Sequence, residues 1–180
     1  NLETRHVPRM DLQKAVDAIG RVLELAAKID SSEWRLDLKG CTFDGVDFSR
    51  GFFRAADFRE SRFEGSLMRE ANFEGCIFTG ALFNYAYCYN ANMKGAKFDR
   101  IILNKPSSER GGYVRSLNQA DIQGASFVAA DISAISYLGP PKKIAQTFGT
   151  RDTVLSPQMQ RRKVDSHTHD LGHLARTAPV

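Results

Sequence analysis

The residues with the most evident chemical potential stand near the C-terminus, where His167, His169, Asp170 and His173 fall within one short stretch. Two imidazoles two residues apart, with a carboxylate and a third imidazole following, could supply nitrogen and oxygen ligands to a divalent metal. A metal centre also needs a rigid, hydrogen-bonded surround, and this stretch is polar, proline-flanked and without apolar periodicity, so no metal site is assigned to it. Two further groupings, Asp57 with Glu60 and Glu70 with Glu74, place carboxylates close enough for acid–base work. They occupy outward positions of the repeat described below, where a solvated charge is the ordinary outcome. Cys41, Cys76 and Cys88 form an odd set without CxxC spacing, which suggests neither a disulfide framework nor zinc and fits a reducing cytoplasm. Glycine-rich phosphate loop, nucleophile elbow and HExxH are all missing. The chain therefore reads as non-enzymatic, with no catalytic, cofactor-binding or metal residues and no cofactor.

The elements that would position such groups are bounded by size and composition. At 180 residues, 42% hydrophobic and 26% charged, the chain suits one globular domain with appendages. No apolar run approaches the roughly 20 residues that span a bilayer. The net charge of +4 is all in the C-terminal part: residues 1–138 carry 18 basic and 18 acidic residues, and 139–180 carry 7 and 3. Asn1 stands where an initiator Met would, with no signal pattern after it, so the chain reads as a piece of a longer protein.

A bulky apolar residue returns at every fifth position from Leu38 through Phe43, Phe48 and Phe53 to Leu103, fourteen times in succession, and nine of these residues are Phe. Two positions before each lies a second series, mostly small, from Leu36 and Cys41 through Ala56 and Ala71 to Ile101. A period of five fits neither the 3.6 of a helix nor the 2 of a strand, so the chain must turn regularly to keep both series on one side. Residues two apart point the same way along an extended segment, and the polar pair that closes each pentad, often with Gly as at Gly40, Gly65 or Gly95, suits a tight turn.

These motifs, among them Ala56-Asp57-Phe58, Ala71-Asn72-Phe73 and Ala120-Asp121-Ile122, resemble the pentapeptide-repeat family. The resemblance implies an all-β solenoid, the right-handed quadrilateral β-helix, in which four pentads make a square coil and coils stack about 4.8 Å apart. Residues 20 apart would then form the core columns Leu38/Phe58/Phe78/Phe98, Phe43/Phe63/Phe83/Leu103, Phe48/Met68/Cys88 and Phe53/Phe73/Met93.

Three segments follow. Residues 1–33 hold an amphipathic helix marked by Leu12, Val16, Ile19, Leu23, Ala26 and Ile29, expected to cap the first coil, whose strand edge would otherwise be open. A dimer contact, or packing against a segment upstream of Asn1, is the alternative use of that helix. Residues 34–138 hold the repeat, interrupted by a turn-rich loop at about 104–114 and resuming at Leu117 with its phase slipped by one, because 103 to 117 is fourteen residues. Residues 139–180 read as a basic, irregular tail. Val7 to Arg21 also resembles the lead-in helix of a bacterial subgroup of the family whose longer members carry predicted membrane segments upstream, and Gln146-Thr147-Phe148-Gly149 is similar to that subgroup's C-terminal region. The resemblance implies a bacterial source, and a membrane only through tethering of a longer parent.

The outward positions are mostly polar. Among the apolar exceptions, Leu82, Tyr85 and Ile102 are expected on one wall and Leu67, Tyr87 and Tyr89 on the next, sharing a corner. Such a tyrosine-rich patch favours protein contacts. The expected function is thus a non-enzymatic protein–protein interaction scaffold with an unknown protein partner, or a homodimer formed through an end or through the tyrosine patch. The family's best-known activity, DNA mimicry towards a type II topoisomerase, needs a continuous acidic face, whereas residues 36–105 carry 9 acidic and 10 basic residues. Nucleic acid is a poor partner on the same count. An unrecognised enzyme or a metal-binding protein stands third.

Overall fold

In the computed structural model of the chain, the residues described are 10–29, 35–101, 103, 117, 119–133, 147, 149 and 152–155. Each pentad of the repeat makes one short wall and one corner. The corner is a β-turn that opens on the large residue. The N–H of the next small residue donates to the large residue's carbonyl, as Val46 does to Phe43 at 3.0 Å and Ala81 to Phe78 at 2.9 Å. The residue two after the large one has positive φ at all sixteen described corners, seven of them Gly and nine not. This is the type II arrangement, which demands the left-handed region at that position.

Walls stack in parallel at an offset of one coil. Asp37 pairs with Asp57, Asp57 with Ile77 and Ile77 with Lys97, and the other three walls repeat the pattern. The ladder bonds are short and regular, with Asp57 N to Leu36 O and Phe58 N to Ile77 O both at 2.8 Å. A wall offers too few residues between corners for a long strand, so the ladder is a column of single bridges.

The expected columns form the core. Phe58, Phe78 and Phe98 lie nearly parallel with ring centroids 5.3 and 5.2 Å apart, and Phe63 stacks with Phe83 at 5.0 Å. Adjacent columns meet edge to face, as between Phe58 and Phe63 at 5.3 Å and 73°. Both geometries suit the aromatic quadrupole. Burial of each Phe contributes roughly 2–3 kcal/mol.

Beyond the interruption the stack resumes in register. Asn92 pairs with Asp121 and Lys97 with Ser126, so the offset grows from 20 to 29 residues, and Phe127 stacks on Phe98 at 5.2 Å. The nine added residues are accommodated between Leu103 and Leu117, both buried. Residues 104–114 and Ile102 lie outside the described residues.

Among the described residues after 139, two form a strand. β2, Val154–Leu155, pairs in parallel with β1, Asp131–Ile132. The Thr153 hydroxyl donates to the Phe127 carbonyl at 2.7 Å, and Thr147 is buried. Two β-branched residues, Thr153 and Val154, suit an added wall.

At the other end lies α1, Met10–Ala27, whose buried residues are Val16, Gly20 and Leu23. They join the core cluster, with Leu12 and Ile19 packed against it. Gly20 sits so close to Phe53 that an added Cβ would be 3.3 Å from the ring. Gln13 closes the edge: its side-chain amide donates to Asp47 O at 2.6 Å and accepts from Asp47 N at 2.9 Å. One side chain thereby supplies both partners that a preceding coil would have offered Asp47. Ile29 departs from expectation. It is 80% exposed instead of joining the docked stripe, because the chain leaves the helix in tight i to i+3 bonds, Lys28 N to Leu25 O and Ile29 N to Ala26 O.

Candidate protein-interaction surface

With the core columns pointing inward, chemistry is left to the outward positions. Five of the six expected patch residues, Leu67, Leu82, Tyr85, Tyr87 and Tyr89, lie at outward positions around one corner. Leu82 lies half-buried on one wall above Arg62, and Tyr87 lies on the next wall bridged to Leu67. Tyr85 stands at the corner between them, with φ 58° and 55% of its surface exposed. The walls hold Leu82 and Tyr87, while Tyr85 and Tyr89 belong to corners, which narrows each wall's share of the patch. Ile102 falls outside the described residues.

Tyr87 and Tyr89 stack with ring centroids 6.1 Å apart and planes within 7°. The Arg69 guanidinium sits 5.9 Å from the Tyr87 ring centre, a cation–π arrangement absent from the sequence reading. The register sets Arg69 one coil below Tyr89, but the reach of its side chain is what brings the guanidinium to Tyr87. Leu67, 41% exposed, completes a surface of apolar area with hydrogen-bonding tips.

Of the four carboxylates in the two pairs, Glu60 is exposed and the other three each have a cation of their own. Glu70 pairs with Arg50 at 3.1 Å, Glu74 with Arg54 at 3.5 Å and Asp57 with Arg59 at 2.7 Å. Two of these join successive coils and neutralise the wall locally. With Asp37 paired to Lys39, and Asp44 and Glu64 sharing Arg62, six of the nine carboxylates between 36 and 105 have a cationic partner. Among the described residues no group of three or more His, Cys, Asp or Glu is placed to hold a metal; the 167–173 histidines lie outside them. Cys76 and Cys88 are buried and their thiols are pushed far up by desolvation, which removes them from thiolate chemistry. A groove of about 380 Å³ between α1 and the first coils, lined by Glu24, Lys28, Arg50, Phe52 and Glu70 among others, is open and shows no nucleophile–base pair. No described helix is long and apolar enough to cross a membrane.

Burial acts to raise the Asp57 carboxyl, but the Arg59 side chain and backbone N–H bonded to it outweigh burial and hold it below the ordinary aspartate range. A lowered folded-state pKa stabilises the native state fully above the unfolded value, about 3.9, and that stabilisation is lost as pH falls through the folded one. The melting temperature of Asp57→Asn should therefore lie below that of the wild type at neutral pH and converge on it in acid. A gap that persists unchanged in acid would contradict this.

The motifs are shared with known proteins. Two family profiles, both described as pentapeptide repeats, match: one of nine copies over residues 58–102 and one of eight copies over 37–75. Residues 37–102 belong to the pentapeptide-repeat family. The repeat region is accordingly the family's right-handed β-helix solenoid. Solved pentapeptide-repeat structures are similar over much of the chain. Rfr23 of the cyanobacterium Cyanothece 51142 is 14% identical, with 67% of this chain and 91% of that one covered and a TM-score of 0.38. QnrB1, a plasmid-mediated fluoroquinolone resistance protein, is 14% identical, with 72% and 88% covered and a TM-score of 0.36. A pentapeptide repeat protein of the Arabidopsis thaliana thylakoid lumen is 17% identical, with 73% and 90% covered and a TM-score of 0.25. Among curated proteins none matches.

Proposed function

We propose that this pentapeptide-repeat chain is a non-enzymatic scaffold that binds another protein through the tyrosine corner, in a reducing cytoplasm. The observation that carries the reading is the stack of Tyr87 on Tyr89 with Arg69 over Tyr87, beside exposed Leu67 and Tyr85. Tyrosine and arginine are among the residues that most often dominate binding energy, and here Tyr87 on its wall and Arg69 and Tyr89 at corners all stand on backbone held by ladder bonds, so little backbone freedom remains to be lost on association. α1, with Gln13 clasping Asp47, serves as the cap that keeps the first coil from pairing edge to edge with another chain.

DNA mimicry towards a type II topoisomerase is the weaker reading, since the coils pair their carboxylates with arginine and lysine instead of aligning them in a stripe. The test is affinity capture from the native organism with wild type and Tyr87→Ala. The reading expects a discrete protein captured by the wild type and lost from the variant, at unchanged melting temperature and with little dependence on salt. Capture that is indifferent to Tyr87, or that disappears with modest salt, would sink it.

A further inference from the structure

α1 has a second apolar face that the repeat does not use. Ala15, Ala18, Val22 and Leu25 are all exposed, Val22 by 58% and Leu25 by 60%, and their spacing is 3, 4, 3. That is the a/d spacing of a two-helix seam. The stripe is narrow, and its N-terminal half is alanine, which lets another helix axis approach closely. A helix that lies in a membrane interface instead presents a broad, bulky face.

The flanks of the seam differ. On one side Ile19 and Ala26 turn towards the docked face, with Ile19 packed on the core. On the other side Lys14 and Arg21 lie seven apart, both exposed, with exposed Lys28 just past the helix end. Behind this basic row lie Asp17, which accepts from Gln13, and Glu24, which pairs with Lys28 at 3.4 Å. A second copy of α1 fits the seam poorly. Antiparallel pairing would set the two basic rows against each other, and parallel pairing would set each basic row against the Ile19 and Ala26 flank, which bears no charge.

We propose that this face docks an amphipathic helix of a partner protein whose apolar seam is flanked by acidic residues. Apolar burial of Val22 and Leu25 supplies the affinity, and pairing with Lys14 and Arg21 sets orientation and selects against basic helices. The seam is distinct from the tyrosine corner, and the proposal does not depend on that site.

The test uses the full chain and two synthetic 21-residue helical peptides with Leu at every a and d position, one with Glu and one with Lys at every e and g. Binding is followed by fluorescence anisotropy. Saturable binding of the Glu peptide is expected, weakened about tenfold or more by Leu25→Ser, with the fold verified by circular dichroism. Arg21→Glu should weaken the Glu peptide and strengthen the Lys peptide. Equal binding of both peptides, no binding of the Glu peptide, or indifference to Leu25→Ser would overturn the proposal. So would a dimer of the chain alone, or adsorption to phosphatidylserine vesicles, that Leu25→Ser abolishes.

Discussion

Replacing Phe78 with alanine is expected to destabilise the repeat by about 3–5 kcal/mol. Phe78 is fully buried and lies flat between Phe58 and Phe98 at 5.3 and 5.2 Å. Phe63, Phe73 and Phe83 meet it edge-on at 5.0–5.7 Å. These neighbours belong to walls tied above and below by ladder bonds, so they cannot collapse into the space, and the cavity persists. Because a solenoid's coils are held by their nearest neighbours, a hole in the middle coil also weakens the coupling between the halves. Urea denaturation should show a large fall in midpoint, whereas Phe78→Leu, which keeps most of the volume, should cost less. An unchanged midpoint for the alanine variant would remove the column from the core.

Gly51→Ala is expected to destabilise, by about 1–3 kcal/mol, although composition alone suggests the opposite. Gly51 occupies the small position of its pentad, where Ala56, Ala71, Ala81 and others show that alanine is welcome elsewhere. Its Cβ would lie 2.4 Å from the Phe53 ring and 2.9 Å from the Phe48 carbonyl oxygen. The oxygen belongs to the turn and cannot withdraw. The ring is pinned between Phe73, stacked at 5.4 Å, and α1 at Gly20. Relief therefore requires lifting the helix or opening the turn. Heat denaturation of Gly51→Ala beside Ala56→Gly separates the cases: the first should lose stability through overpacking, the second through loss of a methyl group and added chain freedom. A more stable Gly51→Ala would show that Phe53 can move.

The repeat was legible because a period of five is incompatible with any other regular element, so each Phe announces its own column. The slip after Leu103 was legible too, since fourteen residues is one short of three pentads. Other features were not. Val154 pairs with Asp131 at a spacing that is no multiple of five, so no periodicity marked β2. Ile29 sits within helical reach of the docked stripe, and only the end of α1 at Ala27 turns it outward. The clasp of Gln13 on Asp47 joins a helix to an edge 34 residues on, a relation that no local pattern carries. At the candidate site, the register placed Leu67 beside Tyr87 but not the Arg69 guanidinium over the ring, because side-chain reach rather than backbone spacing decides that contact.

The nine non-glycine corners carry an evolutionary consequence. Each holds a side chain in the left-handed region at a cost of about 1–2 kcal/mol, which glycine would avoid. Arg50, Glu60, Glu70, Tyr85, Asn90 and Arg100 are among the residues held there. A chain with glycine at every corner would be more robust and featureless along its four edges. This one has traded part of its margin for an alphabet: along each edge letters can be rewritten singly, at a fixed and modest cost and without touching the phenylalanine stacks. The surface chemistry of the edges can therefore vary while the fold stays constant.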